Sequence, residues 1–181
     1  DYIYVCDKKG NMSIVGRNGK KRTKINNIPL SGDFYVDNNN GDIYSTDSLA
    51  NVWLTQLNGI STKIKTSDLE NHMFYVFPFT SDEIMNLFIS DGKSVQCYNS
   101  ENKVMTFKVV ATSMPKAIHF NNETYLAISN GEYCHLFKSD GSLASSSPFF
   151  GGSEFNCVDL DMDNKLNLLV INNNTLYNYA I

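Results

Sequence analysis

Short apolar runs that end in an acidic or amide residue recur along the chain. The five copies are YIYVCD (2–7), DIYSTD (42–47), NLFISD (86–91), YLAISN (125–130) and NLLVIN (167–172). Their last residues are separated by 40, 44, 39 and 42 positions. Such a regular interval indicates a structural repeat whose period lies in the range of propeller blades.

Further strand-like segments surround each copy. A strand pattern precedes the last four copies (DFYVD, HMFYVF, KAIHF, FNCVDL), and another follows the first four (NMSIVGR, NVWLTQL, SVQCYN, EYCHLFK). Turns then follow at Asn18-Gly19, Asn58-Gly59, Ser100-Glu101 and Asp140-Gly141. Asn-Gly and Asp-Gly are preferred where a hairpin needs a positive φ. A fourth strand is predicted after each turn, in RTKI, STKIK, KVMTFKVV and SLASSS.

The pattern therefore predicts an all-β chain, a β-propeller of four-stranded antiparallel blades. TSDLENHM (66–73) is the one stretch compatible with a helical turn. We predict a single domain, 1–181, with blade units 1–30, 31–69, 70–113, 114–152 and 153–181. The first unit opens on a second strand and the last closes on a third, TLYNYAI. Five blades are thus represented, the first and last partial, as part of a five-bladed ring with trimmed ends or of a six-bladed ring, which is favoured.

Composition narrows the class of partner. The 181 residues are 42% hydrophobic and 19% charged with a net charge of −4, which is typical of a globular protein without a general nucleic-acid surface. Five basic residues between Arg17 and Lys24 form a local cluster that we interpret as a solvated hairpin tip. No apolar run approaches the ~18 residues of a membrane span, so we expect no membrane span, and we expect no signal peptide. Because the chain starts at Asp1, we expect a mature or excerpted segment.

The second unit also resembles a known family. FYVDNNNGDIYSTDSLANVWLTQLNG (34–59) is similar to blades of six-bladed propellers of the YWTD and NHL type. Tyr44 to Asp47, YSTD, stands where that family has Tyr-Trp-Thr-Asp, with Ser45 in place of Trp. The pattern is partial in the first and third units and poor in the last two. The resemblance implies the fold. The chain also resembles in style the ommochrome-binding proteins of insects, which would imply a haemolymph pigment carrier.

A ligand site is predicted at the mouth of the propeller channel. Asp33, His72, Lys116 and Glu154 lie at or just before the start of inner strands. Propellers of the gluconolactonase (SMP-30) type gather a cation with Glu, Asn and Asp at such positions, whereas these mixed charges predict a polar mouth. Recurring aromatic residues at inner strands are mostly expected in the core, with the surplus lining the mouth for a flat aromatic ligand. The predicted ligand-binding residues are Asp33, Tyr35, His72, Tyr75, Lys116 and Glu154.

A calcium site is predicted in the last unit. In VDLDMDNKLNLLV, Asp159, Asp161 and Asp163 alternate and Asn167 is the ninth position counted from Asp159. This spacing resembles the calcium loops of FG-GAP propellers, in which closely spaced oxygens wrap a hard cation. The chain departs from that pattern at Asn164, where the family has Gly, and at Asn167, where it has a carboxylate. An acidic β-turn with carboxylates in water is the alternative.

The sequence carries little that points to catalysis. It has no zinc-binding histidine spacing, nucleophile elbow or P-loop, so we predict no catalytic residue. Three N-x-[ST] sequons, at Asn11, Asn122 and Asn173, fall in predicted turns and favour a secreted glycoprotein. The four cysteines permit two disulfides or four buried thiols.

Three functions follow in order of preference. The first is a non-enzymatic, secreted protein that binds a small aromatic or pigment ligand at the channel mouth. The second is a scaffold that holds a protein or glycan, and the third is a metal-dependent lactonase of the SMP-30 type.

Overall fold

A computed structural model describes residues 2–31, 34–37, 39–65, 73–80, 85–99, 102–152 and 154–181. These residues form eighteen strands in five antiparallel sheets, and no helix occurs among them. In this part of the chain there is accordingly no helix long and apolar enough to cross a bilayer. Contacts group the chain into two compact units, Asp1–Asn71 and His72–Ile181.

The first unit contains sheets 1 and 2. Sheet 1 has three strands, β1 (Tyr2–Cys6), β2 (Met12–Gly16) and β3 (Lys21–Ile25). Sheet 2 has four strands, β4 (Phe34–Val36), β5 (Ile43–Thr46), β6 (Val52–Thr55) and β7 (Ser61–Lys65). Each strand pairs with the next along the chain, so the strand order matches that of propeller blades.

The second unit contains sheets 3, 4 and 5. Sheet 3 consists of β8 (Met73–Pro78), β9 (Met85–Ser90), β10 (Val95–Asn99) and β11 (Asn102–Phe107). Sheet 4 consists of β12 (Lys116–Phe120), β13 (Glu123–Ser129), β14 (Tyr133–Lys138) and β15 (Phe149–Phe150). Sheet 5 consists of β16 (Glu154–Val158), β17 (Asn167–Asn172) and β18 (Thr175–Ala180). Each of the five sheets lies inside one predicted blade unit, while the single-domain boundary stays a prediction.

In the first four copies the repeated acidic or amide residue caps the turn between the second and third strands of its blade. The Asp47 carboxylate accepts two backbone N–H groups of the turn at 2.9 and 3.0 Å, the Asn51 amide, and the Trp53 indole N–H at 2.9 Å. Asp7 and Asp91 accept backbone N–H groups in the same way, and the Asn130 oxygen accepts two. The Asp of YSTD is therefore structural, because it satisfies donors that the sheet leaves unpaired.

Glycine turns follow the third strand in sheets 1, 2 and 4, as predicted, and in sheets 1 and 2 they lead directly into the fourth strand. Gly19, Gly59 and Gly141 have φ values of 74°, 87° and 85°, which non-glycine residues adopt at a cost. The preceding Asn or Asp accepts the N–H that follows the glycine, at 2.8 to 3.1 Å. The predicted turn at Ser100-Glu101 and nearly all of the TSDLENHM stretch lie outside the described residues.

The predicted strand in SLASSS is wrong. In sheet 4 the fourth strand is β15, which pairs with Tyr133 and Cys134. The serine-rich segment makes one isolated antiparallel bridge, between Leu143 and Phe137, and then turns, and Ser147 Oγ accepts the Leu136 N–H at 2.9 Å. A run of small polar side chains has no apolar alternation that fixes it on a sheet, and its hydroxyls compete for backbone groups.

Apolar side chains fill the space between neighbouring sheets of each unit. In the first unit, Met12, Ile14, Ile25, Ile28 and Ile43 form a buried cluster. In the second, Phe155, Leu168 and Val170 of sheet 5 join Leu136 and Cys134 of sheet 4 in another. Sheet 3 meets sheet 4 through aromatic rings, with the Phe107 and Phe137 centroids 4.8 Å apart. Among the inner-strand aromatic residues, Phe74, Tyr75 and Phe155 are buried, as predicted for core residues.

Candidate functional site

Two of the predicted ligand residues lie on neighbouring first strands of the second unit. Lys116 begins β12 and Glu154 begins β16. The Lys116 ammonium donates to the Phe155 carbonyl at 2.8 Å, and its Nζ lies 4.9 Å from the centroid of the Phe155 ring. Lys116 therefore bridges sheets 4 and 5 at the starts of their first strands, and its ammonium group is already bound to the carbonyl and the ring of Phe155. Asp33 and His72 lie outside the described residues.

The two predicted tyrosines differ in how much surface they offer a ligand. Tyr35 is half-buried in β4, opposite Tyr44. Tyr75 is 7% exposed, its hydroxyl lies 3.1 Å from Met73 Sδ, and the adjoining Phe74 is buried as well. Both rings of this pair therefore lie in the core, as the sequence predicts for most inner-strand aromatic residues. Tyr75 offers almost no surface to a ligand.

In the first unit, a groove of about 470 Å³ lies where β1 ends and β4 begins. We call it the first-unit groove, and it is lined by Cys6, Asp7, Lys8, Leu30, Ser31 and Phe34. Phe34 and Cys6 pack from behind against the buried isoleucine cluster, which fixes them in place. Ser31 Oγ is held by the Asp47 carbonyl at 2.7 Å. The groove thus combines an apolar wall with charged groups at its rim.

Hydrogen bonding and burial tune the two reactive groups of this groove. Hydrogen bonds from the Asn11 side chain and backbone hold the pKa of Asp7 below its usual range. Burial, together with the negative charge of Asp7, raises the pKa of the Cys6 thiol. Asp7 is therefore a weak base and Cys6 a neutral thiol, so both are suited to contact rather than to proton transfer or nucleophilic attack.

A larger groove lies at the other end of the strands in the second unit. This second-unit groove, about 610 Å³, is lined by Pro78 and residues 119–124, the hairpin between β12 and β13. His119 Nδ1 lies 3.0 Å from Thr124 Oγ1, and the Tyr125 hydroxyl donates to the Glu123 carboxylate. That hydrogen bond raises the pKa of Tyr125 to about 12. The sequence analysis did not predict this groove. The Asn-Asn turn at 121–122 lines it, but in the sequence that pair is typical of any hairpin turn and does not indicate a groove.

The three aspartates of the predicted calcium loop lie together. One oxygen from each of Asp159, Asp161 and Asp163 lies within 4.8 Å of the others. Asn164 has a φ of 62°, the left-handed conformation that Gly supplies in the calcium loops that this segment resembles. The Asp159 oxygens accept the N–H groups of Asp163 and Asn164, however, and Asp163 pairs with Lys165 at 3.0 Å. Much of this arrangement is also what an acidic turn needs.

Asn167 has a role that does not require a cation. Its side-chain oxygen accepts the Leu160 N–H at 2.9 Å, and its Nδ2 donates to Asn178. Asn86 occupies the same position in sheet 3 and accepts the Phe79 N–H at 3.0 Å. Both copies therefore close the loop between the first and second strands. The shared Asn of NLFISD and NLLVIN was the sequence signal for this role.

Calcium binding by the aspartate loop stays a prediction, and a thermal melt tests it. A cation that binds only the folded state adds about 2.7 kcal/mol of stability at a hundred times its dissociation constant. We expect calcium to raise the melting temperature of the wild type and to act much less on Asp161→Asn. Asp140→Asn, in a different hairpin, should respond like the wild type. Identical melting temperatures in calcium and in chelator would remove the site.

All four cysteines are free thiols in the structure. Burial raises the pKa of Cys97, Cys134 and Cys157 to about 12 in each case. Cys97 and Cys134 are buried and pack as small hydrophobes, whereas Cys6 and Cys157 are only partly buried.

Comparisons with known proteins bear on the fold. No protein-family model matches the chain, and no curated protein matches it in sequence. Among solved structures, a selenomethionine-substituted virginiamycin B lyase from Staphylococcus aureus superposes with a TM-score of 0.52 at 14% identity. The match covers 98% of this chain and 69% of the lyase chain. The fold is a β-propeller. At this identity the likeness shows fold alone and carries no activity over.

Proposed function

We propose that the protein is a non-enzymatic binding protein that holds a small, flat aromatic ligand of the pigment type in the first-unit groove. The observation that carries this proposal is the groove itself, whose volume of about 470 Å³ lies within the range of small-molecule sites. Phe34 supplies a ring for stacking against the ligand, and Leu30 and Cys6 complete the apolar wall. Lys8, which is exposed at the rim, is placed to pair with an acidic group on the ligand.

The chemistry of the groove favours binding over catalysis. The Asp7 carboxylate is occupied by N–H groups of Lys9 and Asn11, at 2.8 and 2.9 Å. Cys6 is held in its neutral form by burial and by Asp7. A general base with a raised pKa or an activated nucleophile is what a catalytic site needs, and these two groups are shifted the other way.

The wider proposal includes secretion and glycosylation. Asn122 and Asn173 lie exposed at hairpin tips, where a glycan has room. The Nδ2 of Asn11, in contrast, donates to the Asp7 carboxylate at 2.9 Å. Mass spectrometry of the native protein should therefore find glycans at Asn122 and Asn173, and it should find a bound small molecule. A native preparation without either would count against this proposal.

A binding titration tests the groove directly. Quinoline-2-carboxylic acid, a planar ring with one carboxylate, is the probe, and binding is measured by calorimetry. We expect Phe34→Leu, which keeps an apolar core contact but loses the ring, to weaken binding about tenfold, or 1.4 kcal/mol. Phe150→Leu, at an exposed ring of β15, is the matched control. Equal affinities of both variants, or no binding by the wild type, would reject the site.

Binding of a glycan is the second candidate, and the second-unit groove favours it. His119, Asn121, Asn122 and Glu123 line that groove with groups that form hydrogen bonds to hydroxyls. Saccharide binding that is lost in Asn121→Ala and kept in Phe34→Leu would assign the function to this groove instead. Metal-dependent lactone hydrolysis would favour the lactonase alternative.

A further inference from the structure

The sequon asparagine Asn122 lies on a tight hairpin of fixed geometry. Asn121 and Asn122 have φ values of 48° and 62°, and they form the two-residue loop between Phe120 and Glu123, which pair across β12 and β13. Asn is favoured at such positive φ angles. The Asn121 side chain donates to the Asn164 carbonyl at 3.2 Å, which ties the hairpin to the loop after β16. The hairpin therefore presents Asn122 from a defined backbone conformation.

The side-chain amide of Asn122 is available for an N-linked sugar. Asn122 is exposed, and within the described ranges its side chain forms no hydrogen bond. The Asn11 Nδ2, in contrast, donates to the Asp7 carboxylate. In glycosylation the Asn122 Nδ2 would lose a proton and bond to C1 of the first N-acetylglucosamine, while the diphosphate of a lipid-linked sugar donor leaves. A glycan at this position grows from the tip of the β12–β13 hairpin.

An aromatic ring precedes this asparagine by two residues. Phe120 is half-buried and lines the second-unit groove together with Asn122. The face of an aromatic ring is negative, and the C–H groups on one face of a sugar ring are weakly positive, so the two surfaces pack together. Phe120 therefore offers the first sugar on Asn122 a surface within its reach.

The other exposed sequon lacks this ring. Asn173 also lies in a two-residue hairpin, between Asn172 and Thr175, and its φ is 47°. The residue two positions earlier is the aliphatic Ile171, and Asn173 lines neither of the two grooves described above. The two sequons thus share a hairpin type and differ in the ring and the groove beside them.

The second-unit groove has the size and the polar lining that a sugar needs. Its volume of about 610 Å³ lies within the range of small-molecule sites. His119, Asn121 and Glu123 offer donors and acceptors to hydroxyl and acetamido groups. The Tyr125 hydroxyl donates to the Glu123 carboxylate and so holds that acceptor in place. A sugar that is covalently attached at the groove also has a high local concentration there.

We propose that the second-unit groove holds the chain's own N-linked glycan, with the first N-acetylglucosamine on Asn122 packed against the ring of Phe120. The inference rests on the proposed glycosylation, and it names the saccharide that occupies the groove of the second candidate function. The glycan covers Phe120 and excludes free saccharides, so the groove is a structural part of the folded glycoprotein.

The rate at which peptide N-glycosidase releases the glycans tests this contact. The 181-residue chain is secreted from insect cells, and mass spectrometry follows the sugar at each site during digestion of the folded protein. We expect release from Asn122 to be at least about tenfold slower than release from Asn173, because the enzyme reaches the sugar only while it is away from Phe120. After heat denaturation the two sites should be released at similar rates.

Variants of Phe120 assign the protection to the ring. Phe120→Leu keeps an apolar side chain but loses the ring, so release from Asn122 should rise toward the rate at Asn173. Phe120→Tyr keeps a ring and should keep slow release. Phe150→Leu, at an exposed ring of β15, is the matched control and should leave both rates unchanged. Release from Asn173 reports any general loss of folding in a variant.

Two kinds of result separate this inference from the proposed glycosylation. Equal release rates from the folded wild type, or an Asn122 rate that Phe120→Leu leaves unchanged, would overturn the inference and leave the glycosylation standing. A chain that carries sugar at Asn173 and none at Asn122 would overturn it as well. Absence of sugar from both sites would reject the inference and the proposed glycosylation together.

Discussion

Asp47→Ala should lower the free energy of unfolding by about 2 kcal/mol, the cost of removing hydrogen bonds to a charged acceptor. The carboxylate accepts two backbone N–H groups of its turn and two side-chain donors, from Asn51 and Trp53. Without it, these donors lose their partner where β5 turns into β6. The carboxylate is partly open to water, so the loss stays well below the sum of four charged hydrogen bonds.

Urea unfolding followed by Trp53 fluorescence measures this effect at its source. Trp53 is the single tryptophan of the chain, and its indole N–H donates to the residue that is changed. Asp47→Asn should lose less than half as much, because Asn130 fills the same position in sheet 4 and still accepts two backbone N–H groups. A loss for Asp47→Ala no larger than that of Asp47→Asn would contradict the capping role.

The same carboxylate makes the difference between wild type and Asp47→Ala depend on pH. Partial burial raises the pKa of Asp47, but hydrogen bonds from Asn51 and Trp53 outweigh it and lower the pKa from 3.8 to about 2. The unfolded chain therefore binds this proton more readily than the folded one. Its stabilising contribution is complete above about pH 4 and is lost as the pH falls toward 2. The two unfolding curves should converge in acid.

Most of the fold was predictable from sequence because its determinants are local. The spacing of Asp7, Asp47 and Asp91 gives the period, and the two Asn-Gly turns mark the hairpins into the fourth strands of sheets 1 and 2. Those residues act on neighbours a few positions away, so their signal is present in a short window. The exception is the last strand of sheet 4, where Phe149 and Phe150 pair with β14 across a serine-rich segment. That pairing depends on contacts across the core, which no window shows.

The candidate site was less predictable, because the burial of a side chain and its hydrogen-bond partners depend on tertiary contacts. The sequence placed Lys116 and Glu154 at the starts of inner strands, and the structure agrees. It did not show that the Lys116 ammonium donates to the Phe155 carbonyl, or that Tyr75 is enclosed on both faces. The first-unit groove combines the turn at Asp7 with the segment before Phe34. These segments lie far apart in sequence, and the packing of sheets 1 and 2 on a shared buried cluster brings them together.

Among the described glycines of the first unit, Gly10 should be the most costly to replace by alanine, with a loss of about 3 kcal/mol or more. Gly10 has a φ of +77°, and a Cβ built on it would lie 2.2 Å from the Ile28 carbonyl oxygen. The atoms cannot simply separate, because the Ile28 N–H donates to the Gly10 carbonyl at 2.9 Å. Ile28 is also fixed from behind as a member of the buried isoleucine cluster.

Gly19→Ala separates the two causes of this loss. Gly19 has nearly the same φ, +74°, but a Cβ there meets nothing within 4 Å. Its variant should lose only the backbone term, about 1 kcal/mol. Urea unfolding monitored by Trp53 reports both variants, since all three residues lie in the first unit. If the two variants lost the same free energy of unfolding, the backbone near Gly10 and Ile28 could move to accept the added Cβ, and the predicted steric cost would be wrong. A larger loss at Gly10 means that the turn after β1 and the segment before β4 are locked together, and these segments also form the walls of the first-unit groove.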